Sequence, residues 1–114
     1  MSFPPITQVA YQTLEENISD IATVQEWAQE MDYSRTHFSN KMKKEADIRP
    51  RKLLKRANKE KLIDMINDDS EIKAFTLAHA IGFSSIQSLY QYLNRHYDCS
   101  IKQFKEKVYK DSTN

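Results

Sequence analysis

Sliding the chain along itself brings its two halves into register. Ala28, Met31, Asp32, Tyr33 and Ser34 recur fifty residues later as Ala78, Ile81, Gly82, Phe83 and Ser84. One residue is then added, and Phe38, Met42, Asp47 and Leu53 match Leu89, Leu93, Asp98 and Phe104. Self-similarity at a fixed period means that one supersecondary unit is built twice, which removes most topologies open to a chain of this length. In both copies the apolar residues return every three or four positions, the period of a helix with one buried face.

Composition agrees with helices. One glycine and three prolines leave little of the turn vocabulary that hairpins need, and the 39% hydrophobic content of 114 residues suffices for one modest core or two small ones. The pattern predicts an all-α fold of about seven helices, two helix-turn-helix subdomains of homeodomain-like form joined by a long central helix. The first helix is expected over 7–18, with Val9, Ala10, Leu14 and Ile18 as its apolar stripe. Thr23 caps the second, which turns Val24, Trp27, Ala28 and Met31 inward and carries Glu26 at the capping-box position. Ser34 caps the third, with Phe38 and Met42 buried. Pro50 opens a fourth helix reaching about Asn67, with Leu53, Leu54, Ala57, Leu62, Met65 and Ile66 inward. A fifth, burying Phe75, Leu77, Ala78 and Ile81, stops at Gly82, a sixth runs from about Ser85 to Tyr97, and Ser100 caps a last one that buries Ile101, Phe104 and Val108.

The formal charge of +1 hides a strong polarity. Residues 1–33 hold six acids and no Lys or Arg, residues 34–61 hold eleven Lys or Arg against Glu45, Asp47 and Glu60, and the remainder nets −1. A concentrated basic block in a near-neutral chain is what a polyanionic partner requires, although a charge run also arises as a solvated face. The single cysteine, Cys99, excludes an intrachain disulfide and a thiolate metal cluster and reads as a small buried residue. No apolar run has the length of a membrane span or a signal-peptide core, so the sequence reads as cytoplasmic and without a membrane partner.

A helix-turn-helix needs a small residue where its helices touch, a turn residue four positions on that accepts an unusual backbone, and apolar seats for the second helix. Ala28 and Ala78 supply the first, Asp32 and Gly82 the second, Phe38 with Met42 and Leu89 with Leu93 the third. Two ordinary helical hairpins would meet these needs as well. What distinguishes the chain is the face opposite each seat: Thr36, Ser39, Asn40 and Lys43 in the third helix, and Gln87, Tyr90, Gln91 and Asn94 in the sixth. Hydroxyls and carboxamides pair with base edges in the major groove, Asn and Gln bidentately with adenine. Arg35, Lys41, Lys43, Lys44, Arg49, Arg51, Lys52, Lys55, Arg56 and Arg95 are candidates to face phosphates.

The segments VQEWAQEMDYSRTHFSNKMKKEADIRPRKLLKR and LAHAIGFSSIQSLYQYLNRHYDCSIKQFKE together resemble the DNA-binding domain of the AraC/XylS family of bacterial transcriptional regulators. The resemblance spans about residues 21–107, and its most specific part is Gly82-Phe83-Ser84 followed by Leu89, Leu93, Tyr97 and Phe104. It implies that helices three and six enter successive major grooves, joined by a rigid fourth helix. By position it marks Thr36, Ser39 and Asn40 in the first unit and Ile86, Gln87, Tyr90 and Gln91 in the second as base-facing, Ile86 toward a thymine methyl. The implied domain order is an acidic N-terminal helix over 1–20 and a double helix-turn-helix domain over 21–110, with a first unit over about 21–49, a linker helix over 50–67 and a second unit over 70–108. The chain departs from the family in having Asp32, Asp47 and Asp98 where glycine is frequent, and in a segment between helices four and five about one residue longer; both bear on the tilt of each unit. It reads either as a short stand-alone regulator or as the C-terminal piece of a larger one.

Other classes find less in the sequence. His37, His79 and His96 lie on three different helices, no spacing suggests a nucleophile and its base, and no glycine-rich phosphate loop is present, so neither catalytic residues, nor a cofactor, nor a metal site are expected. A protein-interaction adaptor on a helix-turn-helix scaffold that has lost specific DNA binding is the main alternative. The acidic first helix reads as a solvated cover for the first core, with RNA polymerase or an N-terminal partner domain as candidate contacts, and Trp27 reads as core rather than as a ring stacked on a base. Double-stranded DNA is the expected partner, and oligomeric state is left open.

Overall fold

The computed structural model describes the backbone of residues 5–113 and the side chains of residues 6–111. Among the described residues there are seven α-helices and no strand. The helices are α1 (Pro5–Glu16), α2 (Val24–Glu30), α3 (Arg35–Ala46), α4 (Pro50–Asp68), α5 (Ala74–Ala80), α6 (Ile86–Tyr97) and α7 (Ile101–Thr113), with one 3₁₀ turn over Ile18–Asp20. The chain divides into two compact units whose boundary falls after Asn58, inside α4. No helix among the described residues is long and apolar enough to cross a membrane.

Each unit has its own core. In the first, Ala10 and Leu14 of α1, Trp27 and Ala28 of α2, Phe38 and Met42 of α3, and Leu53 and Ala57 of α4 pack together. In the second, the corresponding places are held by Leu62 and Ile66 of α4, Leu77 and Ala78 of α5, Leu89 and Leu93 of α6, and Phe104 and Val108 of α7. Every member of the second set lies fifty to fifty-two residues after its counterpart. The repeat therefore begins at α1, not at Ala28: what α1 does for the first core, the second half of α4 does for the second. Trp27 adds a polar tie in the first unit, its indole Nε1 donating to the Ala10 carbonyl at 2.9 Å while its ring meets Phe38 edge-on.

The helix ends are made by local chemistry. The Thr23, Ser34 and Ser85 hydroxyls accept from the backbone N–H groups of Glu26, His37 and Ser88. Glu26 returns its carboxylate to the Ala22 N–H, one residue before the cap. Ser100 and Gln103 form a reciprocal capping box at the start of α7. The exits of α2 and α5 are the same motif. Asp32 (φ 61°) and Gly82 (φ 84°) take positive φ, the Tyr33 and Phe83 N–H groups donate back to Ala28 and Ala78, and those of Asp32 and Gly82 to Gln29 and His79. Asp47 (φ 52°) and Asp98 (φ 50°) end α3 and α6 in the left-handed region, which aspartate tolerates better than most residues with a Cβ.

Several sequence expectations need correction. Val9, expected on the buried stripe of α1, is 53% exposed. The inward face is Thr7, Ala10 and Leu14, spaced three and four apart, and Val9 falls on the opposite side of the wheel; the Thr7 hydroxyl donates toward the Met42 sulfur at 3.9 Å. Phe75 is 52% exposed, because a seven-residue helix has room for one short stripe and Leu77, Ala78 and Ile81 occupy it; the Phe75 ring rests on His79 instead. Met31, Met65 and Ile101 are only partly buried. Helix α1 starts two residues earlier than expected and ends at Glu16, which leaves Ile18 in the 3₁₀ turn.

Candidate nucleic-acid interface

The rotation of α3 about its axis is set by Phe38 and Met42, both completely buried. With those two inward, the residues at i, i+4 and i+7 on the other side, Thr36, Asn40 and Lys43, are exposed, while Ser39 at the edge is half-buried. The Ser34 cap leaves the first turn free of acidic side chains, so the positive end of the helix is not neutralised there. Basic residues Lys43 and Lys44 sit in the last turn.

The seating of α6 is the same. Leu89 and Leu93 are buried, and Gln87, Gln91 and Asn94 are exposed along the opposite face. Tyr90 (52% exposed) and Ile86 (45%) border that face on one side, and Arg95 on the other. Four residues apart, Ile86 and Tyr90 form one exposed apolar strip beside the carboxamides. The Ser85 and Ser88 hydroxyls bond each other at 2.9 Å and close the N-terminal turn. No acidic residue occupies the first turn of α6.

The basic residues sort themselves by position. Lys43, Arg49, Lys52 and Arg56 converge, with Asp47, on a shallow hollow between the end of α3 and the beginning of α4. Positions 49, 52 and 56 follow the helical spacing i, i+3 and i+7, a signal present in the sequence that isolates this group from the rest of the basic block. Arg35, Lys44 and Arg51 are exposed but do not line the hollow, and Lys41 is engaged by Glu45 at 3.3 Å on its own helix. A surface pair of this kind contributes little to stability. Arg95 is the one Lys or Arg on α6 and lies in its last turn, where a cation also complements the helix dipole.

Residues set aside at the sequence level have structural places. Trp27 is core, and Cys99 is buried and unpaired with another cysteine. The histidines are exposed on α3, α5 and α6 and lie against aromatic neighbours, His37 edge-on to Tyr33 and His79 tilted against Phe75. Among the described residues no group of His, Cys, Asp or Glu is placed to hold a metal ion. Burial pushes the Tyr97 phenol above its ordinary pKa, with the neighbouring Tyr92 hydroxyl opposing and Cys99 adding to the shift; the ring packs on Phe104 under the Lys59 ammonium.

No protein-family model matches the sequence, and no curated protein matches it. Solved structures do. The C-terminal domain of AraT, a response regulator from Geobacillus stearothermophilus, matches 94% of this chain and 88% of its own with a TM-score of 0.75 at 19% identity. A DNA-binding transcriptional dual regulator from Escherichia coli K-12 matches 96% of this chain and 97% of its own, TM-score 0.70, 15% identity. The C-terminal domain of the two-component response regulator yesN from Fusobacterium nucleatum subsp. nucleatum matches 90% and 99%, TM-score 0.71, 21% identity. The chain thus has the fold of these domains.

Proposed function

We propose that this chain binds duplex DNA at specific sequences and thereby regulates transcription. The observation that carries the reading is the twice-built face: a helix seated on two buried apolar residues presents short polar side chains outward in both units. Thr36, Ser39 and Asn40 of α3 and Ile86, Gln87, Tyr90 and Gln91 of α6 face bases, and Arg35, Lys41, Lys43, Lys44, Arg49, Arg51, Lys52, Arg56 and Arg95 face phosphates. The E. coli structure of this fold is itself described as a DNA-binding transcriptional regulator, which supports the same use here. In this proposal residues 21–110 act as one double helix-turn-helix domain, and α3 and α6 enter successive major grooves about one helical turn apart on an asymmetric site. The protein works in the cytoplasm, on the nucleoid. Activation follows where the bound protein touches RNA polymerase, repression where the site overlaps a promoter. No catalytic step is part of the proposal.

The test is selection of binding sites from randomised duplexes with the full chain, with affinities measured at two salt concentrations. An asymmetric site with two boxes is expected, its preferences lost box by box in Asn40→Ala and Gln91→Ala, while Arg56→Ala weakens all sequences alike. Failure of any sequence to enrich, with affinity that simply collapses in salt, would replace this function by a non-specific anchor on an adaptor scaffold.

A further inference from the structure

Matched position for position, α3 and α6 differ in the chemistry they can offer a base. Arg35, Ser39 and Lys43 of α3 stand where α6 has Ile86, Tyr90 and Asn94. No Lys or Arg occurs between Lys73 and Arg95, so the first two turns of α6 carry no cation at all. The guanine edge in the major groove shows two acceptors, O6 and N7, and is read chiefly by Arg or Lys. The adenine edge shows an acceptor beside a donor, which a carboxamide matches with its own donor and acceptor, and thymine adds a methyl group that an apolar side chain covers. On α6 the exposed centre is Gln87 and Gln91, and the exposed border is Ile86 and Tyr90.

We infer that α6 reads a box of A·T pairs, with Gln87 and Gln91 bidentate to adenines and Ile86 and Tyr90 against thymine methyls, and that guanine recognition is confined to the box read by α3. The inference rests on the proposed DNA-reading function and specifies its target. Exposure of these side chains makes them replaceable without disturbing the core, which Leu89 and Leu93 enter from the other face of the helix with Tyr92 and Tyr97 beside them.

The experiment starts from the sites selected by the full chain and assigns to α6 the box whose preference is lost in Gln91→Ala. Single atoms of that box are then changed: 7-deaza-adenine removes the N7 acceptor, and uracil in place of thymine removes the methyl. A·T pairs should dominate the box, 7-deaza-adenine should weaken wild-type binding by roughly five- to a hundredfold but hardly affect Gln91→Ala, and uracil should weaken wild type but not Ile86→Ala. G·C pairs enriched in the α6 box, or indifference to both atomic changes, would overturn the inference while leaving sequence-specific binding in place. If no sequence is selected, the DNA-reading function falls and the inference with it.

Discussion

Phe38 and Met42 hold α3 as Leu89 and Leu93 hold α6, and serine hydroxyls cap both helices, yet α3 carries four Lys or Arg and α6 carries one. Buried positions have exchanged one apolar side chain for another, because the core asks for volume and shape. Exposed positions are under no such requirement, and they differ in kind: a cationic, hydroxyl-bearing face in the first unit, carboxamides with two apolar borders in the second. The hollow of Lys43, Arg49, Lys52 and Arg56 belongs to the first unit alone. Under the proposed function the difference would give the first unit most of the charge that attracts phosphate, while both units read bases.

The greatest contrast in stability should come from Trp27 and its counterpart Leu77. Trp27→Ala empties a fully buried site, removes the edge contact with Phe38 and takes away the indole hydrogen bond to the Ala10 carbonyl, a loss of about 3–5 kcal/mol. Leu77→Ala empties a smaller site with no such tie and should cost about 2–4 kcal/mol. Hydrogen exchange followed helix by helix reads both effects. Faster exchange in α1 and α2 for Trp27→Ala, and in α5 and α7 for Leu77→Ala, supports two separately cooperative cores, whereas a uniform rise in either variant would show that the cores unfold as one.

A charge comparison comes next in size. Replacing Arg49, Lys52 and Arg56 together by glutamine should make the negative slope of log affinity against log salt shallower by about 0.9 for each phosphate contact removed, and reduce affinity at moderate salt by roughly ten- to a hundredfold. Lys102→Gln with Lys107→Gln, two exposed cations of α7, should leave the slope where it was. Equal effects from the two sets would erase the division of labour between units.

Helix boundaries, caps and seats are legible in the sequence because they depend on residues three or four apart. Thr23, Ser34, Phe38, Met42, Leu89, Leu93 and Ser100 all stand where that spacing puts them. Val9 and Phe75 are misread for one reason: a short helix with two plausible stripes is decided by what lies opposite, and periodicity does not contain that. The membership of α1 in the repeat is hidden for another. Its counterpart is half of a continuous 19-residue helix, so the two look unlike until their core residues are superposed. In the candidate interface the exposed carboxamides follow from the wheel, but the half-burial of Ser39 and the pairing of Lys41 with Glu45 depend on neighbours that no single-helix pattern specifies.

The smallest effect concerns the two turns, and it discriminates finely. Asp32 sits at φ 61°, within the narrow left-handed window that aspartate tolerates, whereas Gly82 at φ 84° lies beyond it. Asp32→Gly relieves a modest steric cost and enlarges the freedom of the unfolded chain, two contributions of up to about 1 kcal/mol that oppose each other, so stability should hardly move. Gly82→Asp forces a Cβ into a region made for glycine and should cost about 1 kcal/mol, with Gly82→Val worse because branching at Cβ narrows the window further. Urea midpoints with unchanged slopes would measure this order. If Gly82→Asp proved as neutral as Asp32→Gly, the 23° between the two φ values would carry no energetic meaning and the turns would be interchangeable. If the expected order holds, the second turn is the more demanding of the pair, because its backbone lies where only glycine is free of steric cost.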